Sequence, residues 1–158
     1  MLAPESRQHH GLRAAVLLSA LALSASARAA LGDNAAQTQA DAWQWRAQRT
    51  MGALTPTGSV HTLNLPDGGT VRQHLTPDGR VWAVSWRLNG KPRLELLLGV
   101  HFAAYQAAVG SASARGVQRQ MSLAAGDLQV RSSSHLNVHV GQAWLRSLQP
   151  LPLQEIAR

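Results

Sequence analysis

SVHTLNLPDGGTVRQHLTPDGRVWAVSWRLNGK, residues Ser59 to Lys91, decides the fold. Ser59–Leu65 sets Val60, Thr62 and Asn64 against His61, Leu63 and Leu65, the period-two pattern of a strand with two unlike faces. Pro66-Asp67-Gly68-Gly69 then reads as a turn, Thr70–Leu75 as a second strand, and Thr76-Pro77-Asp78-Gly79 as a second turn. Proline presets φ in such turns and glycine supplies the positive φ. Arg80–Leu88, rich in Val and Trp, is a third strand, closed by Leu88-Asn89-Gly90-Lys91. Three short strands on tight turns predict an antiparallel meander.

The hairpin register carries a further expectation. With Asp67-Gly68 as a two-residue loop, His61 faces His74; with Pro77-Asp78-Gly79 as a three-residue loop, His74 faces Trp82. His61, His74 and Trp82 would then form one row across three strands, their opposed Cβ atoms ~4.5–5.5 Å apart. Two imidazoles at that distance could share a metal ion. No third ligand is apparent, so a cross-strand stack is the favoured reading and no metal site is assigned.

After the meander, Leu94, Leu97, Leu98, His101, Phe102 and Tyr105 fall on one face of a helix spanning Pro92 to Val109. Pro92 suits its first turn, and Gly110 is expected to end it. Gly99 inside it suggests close approach to a partner. Leu96 lies off the stripe. Beyond a small-residue loop, Ser111–Gly116, the reading is a strand at Val117–Leu123, a turn at Gly126-Asp127, and a strand at Leu128–Arg131. Ser132–Ser134 reads as a further turn, followed by strands at His135–Val140 and Ala143–Leu145 broken by Gly141. The fold class is therefore α+β: an antiparallel sheet of roughly five or six strands with one main helix on one face.

The N-terminus has a different character. Arg7 and Arg13 precede or flank an uncharged, mostly apolar run from Ala14 to Ser24, and Ala27-Arg28-Ala29 is an A-x-A cleavage pattern. The run is well short of the ~20 residues a membrane-spanning helix needs. Residues 1–29 are expected to be a signal peptide of the general secretory type, cut after Ala29, with cleavage after Ala27 as the competing site. The mature chain is then periplasmic or secreted and carries no transmembrane segment. The chain has no cysteine, which excludes lipoprotein anchoring, disulfides and thiol chemistry. The remaining layout is an arm and linker at 30–58, a single domain at 59–149 and a tail at 150–158. Within the arm, Trp43 and Trp45 cannot share one helical face, so a weak helix or an extended segment is expected.

PDGRVWAVSW (Pro77–Trp86), the helix pattern from Pro92 to Tyr105, and DLQVRSSSHLNVHVGQAWL (Asp127–Leu145) together resemble a proteobacterial family of exported proteins, domain of unknown function 2844. The resemblance covers most of residues 30–158. Ala30-Leu31-Gly32 is similar to that family's mature start, which favours cleavage after Ala29. Ser133-Ser134 stands where paired glycines are expected, and His101 where an aromatic is expected. The resemblance implies export and a small domain; it transfers no activity and no catalytic residue.

Charge and residue inventory bound the chemistry. Past residue 29 the chain holds twelve Lys and Arg against seven acids, a net charge of +5. Asp67, Asp78 and Asp127 belong to turns and Glu95 to the outer side of the helix, leaving no evident carboxylate pair for a glycosidase. There is no G-x-S-x-G elbow and no phosphate-binding glycine loop. His135 and His139, four apart on a strand, would lie ~13 Å from each other. Arg72, Arg80 and Arg87 with Trp82 and Trp86 loosely resemble a nucleic-acid surface, but export argues against nucleic acid, and burial of the two tryptophans under the helix is the plainer reading. No cofactor is indicated. The leading expectation is a non-enzymatic envelope domain that binds polyanions or another envelope protein, with His61, His74, Trp82, Arg72, Arg131 and His135 as candidate binding residues. The rival is a small hydrolase with a Ser/His/Asp site assembled across the fold.

Overall fold

The computed structural model describes residues 31–34, 37–112 and 120–150. Residues 1–29, the cleavage site at Ala29 and the tail from 151 onward lie outside the described residues. The elements run α1 (Gln37–Gln44), β1 (Gln48–Met51), β2 (Ser59–Asn64), β3 (Thr70–Leu75), β4 (Val81–Asn89), α2 (Leu94–Leu98), α3 (Phe102–Ala112), β5 (Gln120–Ala125), β6 (Leu128–His135) and β7 (Val138–Leu145). All seven strands form one antiparallel sheet in the order β1-β2-β3-β4-β7-β6-β5. This is the expected α+β class. The chain builds a four-strand meander, crosses by way of α2 and α3 to the far edge, and meanders back until β7 pairs with β4.

Alternation gives the sheet two faces. The helix-side face presents Leu63, Val71, Leu75, Val84, Trp86, Leu88, Val130, Ala143 and Leu145, and Leu97 and Leu98 pack onto it with Phe102 and Tyr105 beside them. Leu98 is fully buried, as its central place on the stripe requires. Leu96, expected to be off the stripe, is also buried, at 6 % exposure. All three leucines of α2 at 96–98 are therefore buried, and Gly99, at a φ of 51°, interrupts the helix directly after them. A 3₁₀ turn over Gly99–His101 re-aims the chain before α3 begins. The glycine thus serves a break rather than a close approach. Nor does Gly110 end the helix, since α3 runs on to Ala112.

The segment read as arm and linker is built into the domain. Leu31 is fully buried against the helix-side core, and its N–H donates to the Leu97 carbonyl at 3.2 Å. Gly32 N–H donates to Val81 O and Val81 N–H to Asp33 O, both at 2.8 Å. α1 ends before Trp45, with Arg46 at φ 50° and the Ala47 N–H donating back to Ala42 O at 2.8 Å, a Schellman-type close. Trp45 packs on the core, whereas Trp43 is 77 % exposed. β1 then joins the sheet edge where a linker was expected.

Two turns differ from expectation. In the first hairpin, Leu65 N–H donates to Gly69 O at 2.8 Å and Gly68, at φ 80°, donates to Leu65 O at 3.0 Å. The loop is therefore three residues, Pro66-Asp67-Gly68, with glycine in the left-handed position that such loops demand. At the C-terminal end, Ser132–Ser134 is not a turn but the middle of β6, and Gly141 does not break β7. The chain reverses at Leu136-Asn137, where Leu136 adopts φ 53° and is 89 % exposed. His135 and His139 consequently sit on paired strands, in register with Val138 and Ser134 respectively, and face opposite sides of the sheet.

Candidate binding face

The three-residue loop shifts the β2–β3 register by one, and a one-residue shift moves every side chain to the other face. His61 pairs with Gln73, and Val60 pairs with His74. His61 therefore points into the helix-side core, 7 % exposed, while His74 points out of the other side. The expected row of His61, His74 and Trp82 does not form, and with it goes a site shared by His61 and His74. Burial, helped by the Arg49 charge, holds the His61 imidazole below its ordinary pKa.

His74 and Trp82 do meet. Leu75 pairs with Val81 but His74 with Ala83, so Trp82 is the extra residue of a β-bulge. The bulge places Trp82 on the same side as Ala83, and its ring stands edge-on to His74 at 5.9 Å between centroids. Trp82, Ala83 and Trp144 form a small buried cluster here, bordered by Leu148 from the 3₁₀ turn at Arg146–Leu148. Trp86, by contrast, lies in the helix-side core over Gly141.

This second face is open over most of its area. Register places Thr50, Thr62, Arg72, Ser85, Gln142, Arg131 and Ser122 in one line across all seven strands. The next line runs Gln48, Asn64, Thr70, Arg87, Val140, Ser133 and Gln120. Arg72, Arg87 and Arg131 are exposed. A trough of about 890 Å³ is bounded by these three arginines together with Ser85, Gln142, Ser133 and Val140. None of the seven strands contains an aspartate or glutamate. Asp67 and Asp127 brace turns, while Asp41 lies in α1 and Glu95 in α2: Asp67 accepts from Gly69 N–H at 2.9 Å, and Asp127 accepts from Ser147 N–H at 2.8 Å and Ser147 Oγ at 2.6 Å. The Ser147 hydroxyl holds the Asp127 carboxyl below the usual carboxylate range.

Of the sequence candidates, Arg72, Arg131, His74, Trp82 and His135 project from this face, and His61 from the other. Arg72 and Arg131 line the trough, while His74 and Trp82 flank it and His135 lies at the distal end of β6. Reading residue by residue passed over Ser85, Gln142, Ser133 and Gln120, which only the strand pairing brings into line with the arginines. Arg87 was visible as part of a basic strand surface, but not its place beside Arg72. Arg131 is ordered by Trp144, its guanidinium carbon 5.5 Å from the indole centroid.

The face offers weak means for bond cleavage. His74 Nε2 lies 3.4 Å from Ser85 Oγ. Burial, with the Arg72 charge adding to it, pushes the His74 imidazole down to about 4, and an efficient general base has a pKa near working pH. Ser85 sits in mid-strand between β3 and β7, where backbone N–H groups are committed to the ladders and cannot form an oxyanion hole. No strand carboxylate is present to orient the imidazole. Among the described residues no group of three or more His, Asp or Glu is arranged to hold a metal ion.

Fold and face together define an α+β protein in which one helix line backs a seven-stranded sheet whose other side is a polar, cationic trough. Residues 27–155 match the model of the family described as protein of unknown function (DUF2844), and the chain belongs to that family. No curated protein matches it, and no solved structure does.

Proposed function

We propose that the chain is an exported, non-enzymatic binding domain, periplasmic or secreted, that holds a polyanion of the cell envelope on its open sheet face. The observation that carries this reading is the cross-strand line from Thr50 to Ser122, with arginines in two places and no carboxylate in any strand. An anion entering the trough meets guanidinium, hydroxyl and amide groups and no fixed negative charge. Guanidinium groups suit carboxylate or phosphate because their planar fork donates two parallel hydrogen bonds. Export is supported by the charged, apolar and A-x-A order of residues 1–29 and places such polymers within reach.

The test is binding of purified mature protein to lipopolysaccharide and to anionic vesicles, followed from low to high salt. Binding should weaken as salt rises, because exposed charges are screened. Replacing Arg72, Arg87 and Arg131 together by Gln should lower affinity about tenfold or more, the equivalent of at least ~1.4 kcal/mol. The control Arg46→Gln, Arg93→Gln should leave it within about twofold, a change of under ~0.5 kcal/mol. Salt-independent binding, or full binding by the triple variant, would overturn the reading. Intact mass of the protein from the envelope fraction should correspond to a chain beginning at Ala30; a chain still carrying Met1 would remove the envelope from the proposal.

A further inference from the structure

The three arginines of the trough are unevenly placed, and their spacing selects a ligand within the reading just given. Arg72 on β3 pairs with Ser85, and Arg87 lies two residues further along β4. Diagonal neighbours of this kind are ~7–8 Å apart, within reach of long side chains, so one anionic group can accept hydrogen bonds from both. Arg131 is on β6, three strand spacings from β3, or ~14 Å at ~4.8 Å per strand. Between the two cationic ends the same line holds Ser85 and Gln142, uncharged groups that both donate and accept.

A lone phosphate would engage one end and leave the other unused. A bilayer surface would favour cations on a projecting patch, whereas these line a recess of about 890 Å³. A linear chain with acidic groups at intervals and hydroxyls between matches the line. The cation–π contact with Trp144 restrains Arg131, which lowers the ordering cost of binding. We propose that the open face binds an acidic glycan laid across the strands, one acidic group held between Arg72 and Arg87, a second at Arg131, and the intervening hydroxyls on Ser85 and Gln142. Joining the two subsites through one chain makes the second contact intramolecular, so affinity climbs once the ligand is long enough to reach.

The experiment is calorimetric titration with galacturonic acid oligomers from disaccharide to hexasaccharide, with phosphatidylglycerol vesicles as a competing surface. Wild type should bind the hexasaccharide about tenfold or more tightly than the disaccharide, because the longer ligand spans both ends. Arg131→Gln should flatten that difference while leaving disaccharide binding in place. Arg72→Gln, Arg87→Gln should weaken both oligomers. Ser85→Ala, Gln142→Ala should weaken the hexasaccharide alone. Equal affinity for short and long oligomers, still dependent on the arginines, would overturn the spanning mode and leave polyanion binding standing. Arginine-dependent capture by vesicles that oligomers do not displace would overturn the glycan in favour of a lipid surface. Failure of oligomers, lipopolysaccharide and vesicles alike would overturn both readings.

Discussion

Gly141→Ala is the sharpest test of how the floor of the trough is built. A Cβ at this position would lie 2.3 Å from Cζ2 and 2.6 Å from Cε2 of Trp86, and 2.8 Å from the Arg131 carbonyl oxygen. Favourable carbon contacts begin near ~3.5 Å, so something must move by more than ~1 Å. Trp86 is only 3 % exposed and is hemmed in by the helix-side core, and the Arg131 carbonyl belongs to a sheet backbone. Overpacking of this kind costs ~1–3 kcal/mol. Against it stands the usual advantage of alanine over glycine, ~0.5–1 kcal/mol. The net expectation is a loss of about 1–2 kcal/mol, or a fall in melting temperature of about 3–8 °C for a domain of this size. Gly110→Ala is the matched control: nothing lies within 4 Å of its added Cβ, so within α3 it should stabilise by ~0.5–1 kcal/mol. Urea denaturation of both variants, and of Gly141→Ala combined with Trp86→Phe, decides the matter. The smaller ring should recover ~1 kcal/mol of coupling. A Gly141→Ala protein that melts at or above wild type would refute the packing described for Gly141 and Trp86.

Other expectations follow from buried groups. His74 is neutral in the folded protein down to about 4, against an ordinary value of 6.5. Between those limits the unfolded chain takes a proton that the folded chain refuses, so stability is full above pH 6.5 and falls as pH drops toward 4. Urea midpoints across that range should fall less steeply in His74→Gln; an unchanged slope would contradict the assigned burial. Leu98→Ala should cost about 3–5 kcal/mol and Leu96→Ala about 2–3 kcal/mol by lost transfer energy and cavity formation. A Leu96→Ala midpoint equal to wild type would contradict the burial of Leu96.

The meander was legible because its signals are local: alternation over six residues and turns carrying Pro, Asp and Gly. The same reading placed the loop wrongly at one hairpin and rightly at the next, where the bulge at Trp82 still moved the partner of His74 from Trp82 to Ala83. Both loops contain the triplet Pro-Asp-Gly, at 66–68 and 77–79, and both close as three-residue loops with Gly68 and Gly79 near φ 80°. The second glycine, Gly69, made a two-residue alternative look equivalent, and the single-residue difference exchanged the two faces of β2 relative to β3. β1 was hidden because Gln48–Met51 is short and mostly exposed, with no alternation to detect. Ser132–Ser134 became strand through pairing with Gly141, Val140 and His139 on β7, a non-local cause that serine turn propensity cannot show. The reversal fell instead on Leu136, in a conformation that glycine or asparagine more commonly takes. The trough was illegible for the same reason. Its residues come from separate strands, and only the sheet order β4-β7-β6 sets Ser85, Gln142 and Arg131 side by side.

The pairing of β4 with β7 has a kinetic consequence. Each meander can form from near neighbours in the chain, but this central seam joins Ala83 to Trp144 and Asn89 to Val138. Closing a loop some tenfold longer than a hairpin costs about 2 kcal/mol more in chain entropy, and contacts of that separation slow folding. The last of the described strands is therefore the one that welds the sheet along its middle. Arg72 and Arg87 belong to one half and Arg131 to the other, so the cationic line is complete only when that weld has formed.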